Sequence, residues 1–520
     1  MKPANWDNLR DKASRRIRNK ALRGLLTTAD DAVKYVEDGM NVGMSGFTPA
    51  GYPKAVPLAI AEKVRSGKAL KINVFTGASV GEEIDGELTR AGAIRRRYPY
   101  QTDEDLRRAI NSGKISYCDV HLSKFPQDMR YGFYGDLDLA VVEAVAITEE
   151  GNIIPSTSVG NTPTFVSLAH RIIVELNLSQ PESLEGIHDI YIPEDPPSRR
   201  PIPITDVRDR IGFPYIPTDH DRIVAIVPTD IPDKGRPLAP QDEASNTMAS
   251  HLMRFLGQEV TMGRLPPGLL PIQSGVGSVA NAVLAGLSTW HVSGLMMYSE
   301  VIQDAVLDLI DAGVVECASG TSLSLSETGR QRFLKNMDRY RSKIILRPQE
   351  ITNHPEVIRR LGCIAINTAL EVDIYGNVNS SHVLGTSMMN GIGGSGDFAR
   401  NAYLSIFATR STAKGGCISS IVPMVSHVDH PDHDVHVILT EMGLADIRGL
   451  SPREKARVII SNCANPEYVP ALFDYFRRAE LDYGGFTPHI LEEALSWHTL
   501  YRDCKDMRGG RISESMRAGV

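Results

Sequence analysis

The stretch QSGVGSVANAVLAGLSTWHVSGLMMYSEVIQD (residues 273–304) decides the fold of this chain. An apolar run precedes its glycine-rich turn at Gly275 and Gly277, and apolar side chains then recur at helical spacing. A second apolar run, residues 294–298, is followed closely by an acid, Glu300. This order predicts a strand, a tight turn, a helix and a second strand with a carboxylate at its tip.

The glycine turn allows three interpretations. Gly275-x-Gly277-x-x-Ala280 fits the fingerprint of dinucleotide-binding proteins, and Glu300 lies near the position of the acid that binds the ribose there. The same glycines also suit another ligand that approaches the backbone closely, or tight packing without a ligand. Spacing alone leaves all three open.

Length and composition exclude several classes of protein. The 520 residues suffice for at least two hydrophobic cores, because single domains seldom exceed about 300 residues. The net charge of −7 implies no broad basic surface for nucleic acid. No apolar run approaches the ~20 residues of a membrane span. The six cysteines are scattered, as is typical of reduced thiols, so the sequence predicts a cytoplasmic protein.

The first half of the chain repeats the order of elements seen in the second. A predicted strand enters a turn rich in glycine and proline at residues 46–54, and a helix and a strand at 70–75 follow. Strands alternate with helices throughout, which indicates an α/β fold with mainly parallel sheets. The recurrence predicts two pseudo-repeated α/β domains.

A proline-rich stretch marks the predicted division between the two domains. Residues from about 180 to 221 show little periodicity and predict a long extended connection. A clean apolar strand follows, so we place the boundary near residue 225. The N-terminal domain then covers 1–225, and the C-terminal domain, with the glycine turn and Glu300, covers 226–520.

Glu300 is the candidate catalytic residue. The carboxyl end of a parallel strand is where ligands of open α/β sheets bind. The pattern also predicts that Glu300 opens a helix, whose dipole would favour the ionised carboxylate. An ionised carboxylate can attack an acyl carbon, although the same residue could serve only as a helix-capping acid.

A second glycine cluster, NGIGGSGDF, occupies residues 390–398. Four of its residues are glycines, and they lie within six positions of one another. Backbone N–H groups in such a segment are available to an anion or to a carbonyl oxygen.

The segment HVDHPDHDVH, residues 427–436, looks like a metal site because it contains four histidines and three aspartates. Its H-x-x-H-x-x-H spacing needs a helix or a tight loop to converge, whereas Pro431 predicts a turn and the residues after it a strand. The sequence therefore predicts a structural role for this cluster and no metal site.

Several motifs together resemble the acetyl-CoA hydrolase/transferase family, a branch of the class I CoA-transferases that includes succinyl-CoA:acetate CoA-transferases. They include SGFTPAGYPKAVP (45–57), LLPIQSGVGSVANAV (269–283), MYSEVIQD (297–304), NHPEVIRRLGCIAINT (353–368) and NGIGGSGDFARNA (390–402). The resemblance covers nearly the whole chain with its motifs in order. It implies two pseudo-repeated α/β domains and a homodimer.

The resemblance also implies residue roles. Glu300 is the nucleophile, and the backbone N–H groups of Val276 and Gly394 form the oxyanion hole. Asn353 and the loop at 46–51 line the acyl side from across the domain interface. Coenzyme A, a substrate and not a permanently bound cofactor, contacts Gly275, Val276, Gly277, Ser278, Val279, Leu370, Asn390, Gly394 and Lys414.

The activity implied is the transfer of coenzyme A between a short-chain acyl-CoA, such as acetyl-, succinyl- or propionyl-CoA, and a free carboxylic acid. The mechanism is ping-pong and passes through a glutamyl-CoA thioester on Glu300. Three alternatives remain: an acetyl-CoA hydrolase with the same intermediate, an NAD-binding oxidoreductase, and a non-catalytic CoA-binding protein.

Overall fold

The computed structural model describes residues 6–235, 241–275, 277–289 and 294–508. These residues form two compact units that do not follow the chain order. The first unit contains the described residues up to 235 together with 294–361, and the second contains 241–289 and 362–508. Glu300 therefore belongs to the same unit as the N-terminal residues. Within the described ranges, every helix is too short or too polar to cross a lipid bilayer.

A seven-stranded sheet forms the larger part of the first unit. All its neighbouring strands are parallel. In sheet order they are Ser116–Tyr117, Ile94–Tyr98, Ile72–Phe75, Asn41–Gly43, Leu139–Ala144, Arg171–Asn177 and Ile223–Thr229. Every residue of Leu139–Ala144 is buried, as expected for a parallel strand covered on both faces. The main helices of this part are Trp6–Arg16, Ala55–Arg65, Asp85–Ala91, Glu104–Asn111, Lys124–Arg130 and Thr162–Leu168.

The first unit contains three further parallel strands, one just before Glu300 in the chain and two after it. They are Leu295–Tyr298, Val315–Gly320 and Ile344–Leu346. The short strand Val301–Ile302 pairs separately with Ser322–Leu323, also in parallel. The associated helices are Asp304–Asp311, Glu327–Lys335, Met337–Arg341, Gln349–Thr352 and Pro355–Leu361.

The second unit contains four parallel strands with an antiparallel strand at one edge. In order they are Ile272–Ser274, Ile364–Thr368, Leu404–Ala408, Val437–Leu439 and the antiparallel Leu444–Asp446. The helices are Glu243–Thr261, Ser278–Thr289, Ser395–Asn401, Pro452–Cys463, Val469–Arg478 and Ser496–Cys504. A small sheet joins Val378–Asn379, Glu371–Asp373 and Ile421–Val422, and two hairpins are formed by His382–Val383 with Ser387–Met388 and by Thr412–Ala413 with Ile418–Ser419.

The predicted α/β class with mainly parallel sheets is confirmed. The predicted strand, glycine turn and helix also recur: Asn41–Gly43 precedes Ala55–Arg65, and Ile272–Ser274 precedes Ser278–Thr289. These elements form where short apolar runs meet glycine-rich turns, so local sequence is sufficient to define them.

The proline-rich stretch contains little regular structure. Its elements are 3₁₀ turns at Glu182–Leu184 and His220–Arg222, and several of its apolar side chains are buried, among them Ile187, Ile202 and Ile216. It therefore packs on the first unit instead of hanging free. The compact units divide near residues 238, 292 and 361, whereas the boundary near residue 225, with domains 1–225 and 226–520, stays a prediction.

Candidate active site

Glu300 lies just beyond the strand Leu295–Tyr298. Its backbone oxygen accepts hydrogen bonds from the N–H groups of Thr321, at 2.8 Å, and Ser322, at 3.2 Å. The end of the adjacent strand thus fixes the main chain at Glu300. The sequence prediction that Glu300 opens a helix is wrong, because the next helix begins at Asp304. The extended pairing of Val301 and Ile302 with Ser322 and Leu323 precludes helix at that point, so a helix dipole does not favour the carboxylate.

Asn353 is the polar partner of the Glu300 carboxylate. Its Nδ2 donates a hydrogen bond to Oε1 of Glu300 over 2.9 Å. Asn353 is fully buried, and its own Oδ1 accepts a hydrogen bond from Oγ1 of Thr352 at 3.0 Å. Because the amide oxygen is occupied by Thr352, the amide NH₂ group faces Glu300.

The environment of Glu300 disfavours its charge. Burial raises the pKa of the Glu300 carboxyl group to about 7, and the hydrogen bond from Asn353 acts in the opposite direction. Desolvation raises the pKa of an acid, whereas a donor to the carboxylate lowers it. The carboxyl group is thus poised to change its ionisation near neutral pH, which is common at catalytic positions.

The loop at residues 46–51 lies beside the chain that follows Glu300. Ser322 Oγ donates to the carbonyl of Phe47 at 2.7 Å, and Ser324 Oγ donates to the carbonyl of Thr48 at 2.6 Å. Phe47 also packs in one apolar cluster with Val301. We expected this loop and Asn353 to approach from across a domain interface. Both belong to the same compact unit as Glu300, and their position at a domain interface stays a prediction.

A buried network of charged groups holds the far end of this loop. Lys54 Nζ contacts the carboxylates of Glu143 at 2.6 Å and Asp233 at 2.9 Å, and all three residues are buried. The backbone N–H of Gly51 donates to Asp233 at 3.3 Å. Gly51 has a φ of +59°, and a Cβ there would lie 2.6 Å from the backbone nitrogen of Ser158, so only glycine fits.

Sequence analysis missed this network, although a signal was present. Glu143 lies inside the apolar run 139–144, and burial raises its pKa. A carboxylate within a fully buried strand is costly unless it is paired and hydrogen-bonded. The sequence thus indicated that a cation had to meet Glu143, but it did not identify Lys54 as that cation.

The glycine turn of the second unit connects a strand to a helix as predicted. The N–H of Gly275 donates to the carbonyl of Ile366 at 3.1 Å, and the helix begins at Ser278. Gly277 has a φ of +139°, and its carbonyl accepts from the N–H of Asn281 at 3.0 Å. Val276, predicted as an oxyanion-hole donor and a CoA contact, lies outside the described residues.

Sheet topology brings most of the other predicted CoA contacts to one edge of the second unit. Gly275 and Leu370 follow neighbouring parallel strands, so they lie at the same carboxyl edge. Gly394 caps the N-terminus of Ser395–Asn401, the crossover helix that follows the second of these strands, which places it toward that edge too.

The structure also describes the surroundings of three other predicted CoA contacts, Val279, Asn390 and Lys414. Val279 is buried in the first turn of the helix, and the N–H of Gly391 donates to Oδ1 of Asn390 at 2.9 Å. Lys414 is exposed in the turn of the hairpin Thr412–Ser419 and has a φ of +50°.

The histidines of the 427–436 segment do not converge. His430 is buried, and its Nε2 contacts Oγ of Ser395 at 3.1 Å. The side chain of His433 is 85% exposed, and Nδ1 of His436 accepts from the N–H of Ser405 at 3.1 Å. The H-x-x-H-x-x-H spacing therefore forms no common site.

Comparison with known proteins decides the family. The profile of the acetyl-CoA hydrolase/transferase N-terminal domain matches residues 10–228, and that of the C-terminal domain matches 329–476. The chain belongs to the acetyl-CoA hydrolase/transferase family. The resemblance noted in the sequence is thereby confirmed.

Curated relatives of this family member include transferases and hydrolases. The succinyl-CoA:acetate CoA-transferase of Clostridium kluyveri is 56% identical, over 94% of this chain and 91% of the relative. The propanoyl-CoA:succinate CoA transferase of Escherichia coli is 47% identical, over 91% and 96%. The acetyl-CoA hydrolase of Neurospora crassa is 44% identical, over 93% and 95%.

Solved structures of the same fold are more distant. RipA from Yersinia pestis is 22% identical with a TM-score of 0.68, covering 90% of this chain and 98% of that one. The 4-hydroxybutyrate CoA-transferase from Porphyromonas gingivalis is 21% identical with a TM-score of 0.61, covering 88% and 99%. These similarities show the fold.

Family membership makes this protein an enzyme of the CoA-transferase class. It also removes the main reason to interpret the glycine turn as a dinucleotide site or the chain as a non-catalytic binder. The homodimer, the cytoplasmic location and the roles of the individual site residues stay predictions.

Proposed function

We propose that this enzyme transfers coenzyme A between a short-chain acyl-CoA and a free carboxylate, with Glu300 as the covalent nucleophile. One observation carries the proposal. The Glu300 carboxyl group accepts a hydrogen bond from the buried amide of Asn353, and its pKa is raised to about 7. A carboxylate with a raised pKa is a stronger nucleophile than an ordinary one once it is ionised. The hydrogen bond from Asn353 keeps it in one orientation.

The first half-reaction forms the enzyme thioester. A Glu300 oxygen attacks the carbonyl carbon of the acyl-CoA, the C–S bond breaks, and an acyl-glutamyl anhydride and CoA thiolate result. The thiolate then attacks the glutamyl carbonyl carbon. The free carboxylate of the acyl group leaves, and coenzyme A remains on Glu300 as a thioester.

The second half-reaction reverses these steps with another acid. Its carboxylate attacks the glutamyl thioester, which gives a new anhydride and releases the thiolate. The thiolate attacks the acyl carbonyl of that anhydride, so the new acyl-CoA forms and the Glu300 carboxylate is regenerated. Protons and charges balance without any further reactant.

Each attack creates a tetrahedral oxyanion. The proposed donors are the backbone N–H groups of Val276 and Gly394, which can serve successive intermediates. Loss of one such donor costs ~2.7–4 kcal/mol in other acyl-transfer enzymes. Gly394 lies at a helix N-terminus, where N–H groups have no intrahelical partners. This position supports its proposed role as an oxyanion-hole donor.

The remaining predicted residues are proposed to hold coenzyme A. The glycine turn with Ser278 and Val279, together with Leu370 and Asn390, offers backbone and small side chains at one sheet edge. Lys414, exposed on its hairpin, supplies a cation for the phosphates. Acetyl, succinyl and propionyl groups are the proposed acyl substrates, because these occur in the names of the similar transferases.

Mass spectrometry tests the mechanism directly. Mixing the enzyme with acetyl-CoA or succinyl-CoA without an acceptor acid should add the mass of coenzyme A to the intact chain. Peptide mapping should place the adduct between Leu295 and Arg330. Glu300→Ala should prevent it without unfolding the protein. An adduct on a cysteine, or none under single-turnover conditions, contradicts the proposal.

A second candidate activity is hydrolysis, because several relatives are acetyl-CoA hydrolases. Water would then attack the same glutamyl-CoA thioester. The products formed from acetyl-CoA, measured with and without an acceptor such as succinate, distinguish the two. Hydrolysis releases free CoA thiol, whereas transfer forms succinyl-CoA and acetate with no net release of thiol. Transferase activity requires the acceptor, whereas hydrolysis continues without it.

A further inference from the structure

Two imidazoles and a carboxylate meet at the base of a hairpin in the second unit. His382 begins the hairpin strand His382–Val383, and His427 and Asp429 come from a segment 45 positions later. One ligand atom from each of the three side chains lies within 4.8 Å of the others. The two imidazole ring centroids are 3.7 Å apart.

The spacing suits a bound cation. His427 Nε2 and Asp429 Oδ1 are 3.2 Å apart. Zinc binds imidazole nitrogen and carboxylate oxygen at about 2.0–2.2 Å, so two of its ligand atoms lie roughly 3.0–3.5 Å from each other. His427 and Asp429 already have this separation, and a ligand atom of His382 lies within 4.8 Å of both.

Neighbouring groups hold the carboxylate and orient one ring. Asp429 Oδ2 accepts hydrogen bonds from the backbone N–H groups of Ser380, at 2.6 Å, and Ser381, at 2.9 Å. Ser381 Oγ contacts Nδ1 of His382 at 2.8 Å, which leaves Nε2 as the free ring nitrogen. Metal-binding histidines are commonly oriented in this way through their second nitrogen.

We propose that His382, His427 and Asp429 bind one divalent transition ion of the Zn²⁺ type. This replaces the sequence-based expectation that the 427–436 segment takes no part in a metal site. His382, the third ligand, lies outside the segment 427–436. The side chain of His427 is 38% exposed, so solvent ions reach the site, and solvent completes the coordination.

Charge at the site also favours a cation. The side chain of Asp429 is 4% exposed and accepts hydrogen bonds from Ser380 and Ser381, an arrangement that suits a carboxylate. Neutral imidazoles and an ionised carboxylate are the forms that ligate metals.

The ion would fasten the hairpin to the segment that contains His427 and Asp429. The hairpin strand Ser387–Met388 leads directly into Asn390 and the second glycine cluster. The expected effect is greater stability of this part of the second unit. Binding of the ion does not depend on the function proposed above.

Zinc titration of the full-length, chelator-treated protein tests the site. Calorimetry and elemental analysis after dialysis should show one Zn²⁺ per chain, and Tm should rise with Zn²⁺ concentration. His382→Ala and His427→Ala should each weaken binding at least tenfold and remove most of the Tm shift. A Co²⁺-loaded sample should show an absorption spectrum without thiolate charge-transfer bands, which excludes binding at cysteines.

His433→Ala is the matched control, because His433 lies in the same segment but is exposed and contacts only its neighbour Asp432 among the ion pairs described. It should leave Zn²⁺ affinity unchanged. Asp429→Asn is less suitable, because Asp429 also holds the backbone of Ser380 and Ser381. Absence of stoichiometric binding, or binding that survives both histidine variants, overturns the proposal.

Discussion

Asn353 Nδ2 donates a 2.9 Å hydrogen bond to Oε1 of Glu300, and this bond joins two residues that are 53 positions apart in one compact unit. The bond stabilises the carboxylate, whereas the surrounding protein destabilises it. The balance of these two effects sets the pH at which Glu300, the proposed nucleophile, becomes ionised.

Activity should fall in mildly acidic solution. In the proposed mechanism Glu300 must be ionised to attack, and its pKa is raised to about 7. We expect kcat/KM for acyl-CoA to decrease about tenfold for each pH unit below 7. Initial rates of CoA exchange between pH 5.5 and 8.5 measure this. A rate that stays constant down to pH 5.5 would show that Glu300 has an ordinary carboxyl pKa.

Asn353→Ala should move the same limb of the pH profile to higher pH. The substitution removes the donor that lowers the pKa of Glu300, while the burial that raises it remains. At pH 7 we expect kcat/KM to fall at least tenfold, because hydrogen bonds to charged groups contribute ~1.5–3 kcal/mol. Part of the loss should be recovered at pH 8.5.

Asn336→Ala is the control for this experiment. Asn336 lies in the same unit but is exposed, and its Nδ2 donates to the carbonyl of Arg332. Its pH profile should match the wild type. If Asn353→Ala lowers the rate equally at every pH, Asn353 acts only on substrate position and not on the ionisation of Glu300.

Glu300→Gln should stabilise the folded protein in alkaline solution. The folded-state pKa of Glu300, about 7, is above the ordinary value of 4.5, so its contribution to stability is fully present below about pH 4.5 and is lost as the pH rises through 7. Glutamine has no charge and avoids this loss. We expect a gain of at most about 3 kcal/mol at pH 8 relative to pH 5.

Thermal melting of both proteins at pH 5 and pH 8 measures that gain as a difference in Tm. Glu149→Gln, an exposed glutamate in the same unit, should show little dependence on pH. An equal Tm change at the two pH values for Glu300→Gln would mean that Glu300 ionises in the folded protein as it does in the unfolded chain.

The sequence was most informative where structure is local. Apolar runs and a glycine turn predicted a strand, a helix and a second strand in this order. The structure has them at Ile272–Ser274, Ser278–Thr289 and Leu295–Tyr298. It failed at Glu300, where pairing of Val301–Ile302 with a strand about twenty residues later prevents a helix. That contact is non-local, and periodicity around Glu300 contains no information about it.

Non-local contacts also limited the prediction of the site. Asn353 was identified through the family resemblance, because no local pattern links an asparagine at a helix end to a distant glutamate. The compact units also combine separate parts of the chain, and the sequence pattern contains no information about which distant segments pack together. His382 was missed for the same reason: it joins His427 only through tertiary structure.

Lys414→Gln should weaken binding of acyl-CoA without changing stability. Lys414 is exposed on a hairpin turn, so its ammonium group is available to phosphates. A single exposed charge contributes about 1 kcal/mol at most, so we expect KM for acyl-CoA to rise ~2–5-fold with kcat nearly unchanged. The effect should shrink at high salt.

Lys505→Gln is the matched control, since Lys505 is also exposed, lies in the same unit and has a similar φ of +62°. Its KM for acyl-CoA should equal that of the wild type. Equal increases in KM for both variants would indicate a general effect of net charge and would remove Lys414 from the proposed CoA site.

Gly394→Val should lower kcat ~10²–10³-fold while the protein remains folded, because a side chain there displaces the acyl group or turns the backbone donor away from the oxyanion. Gly394 has a φ of −87°, which valine can adopt, whereas Gly391 has a φ of +141°, which alanine adopts only with strain. Gly391→Ala should therefore lose about 1 kcal/mol or more of stability with a milder effect on kcat. Steady-state kinetics and thermal melting of both variants separate the two effects. If Gly394→Val keeps a near-normal kcat and instead melts at a much lower temperature, the glycine cluster serves packing, and its role in the oxyanion hole is refuted.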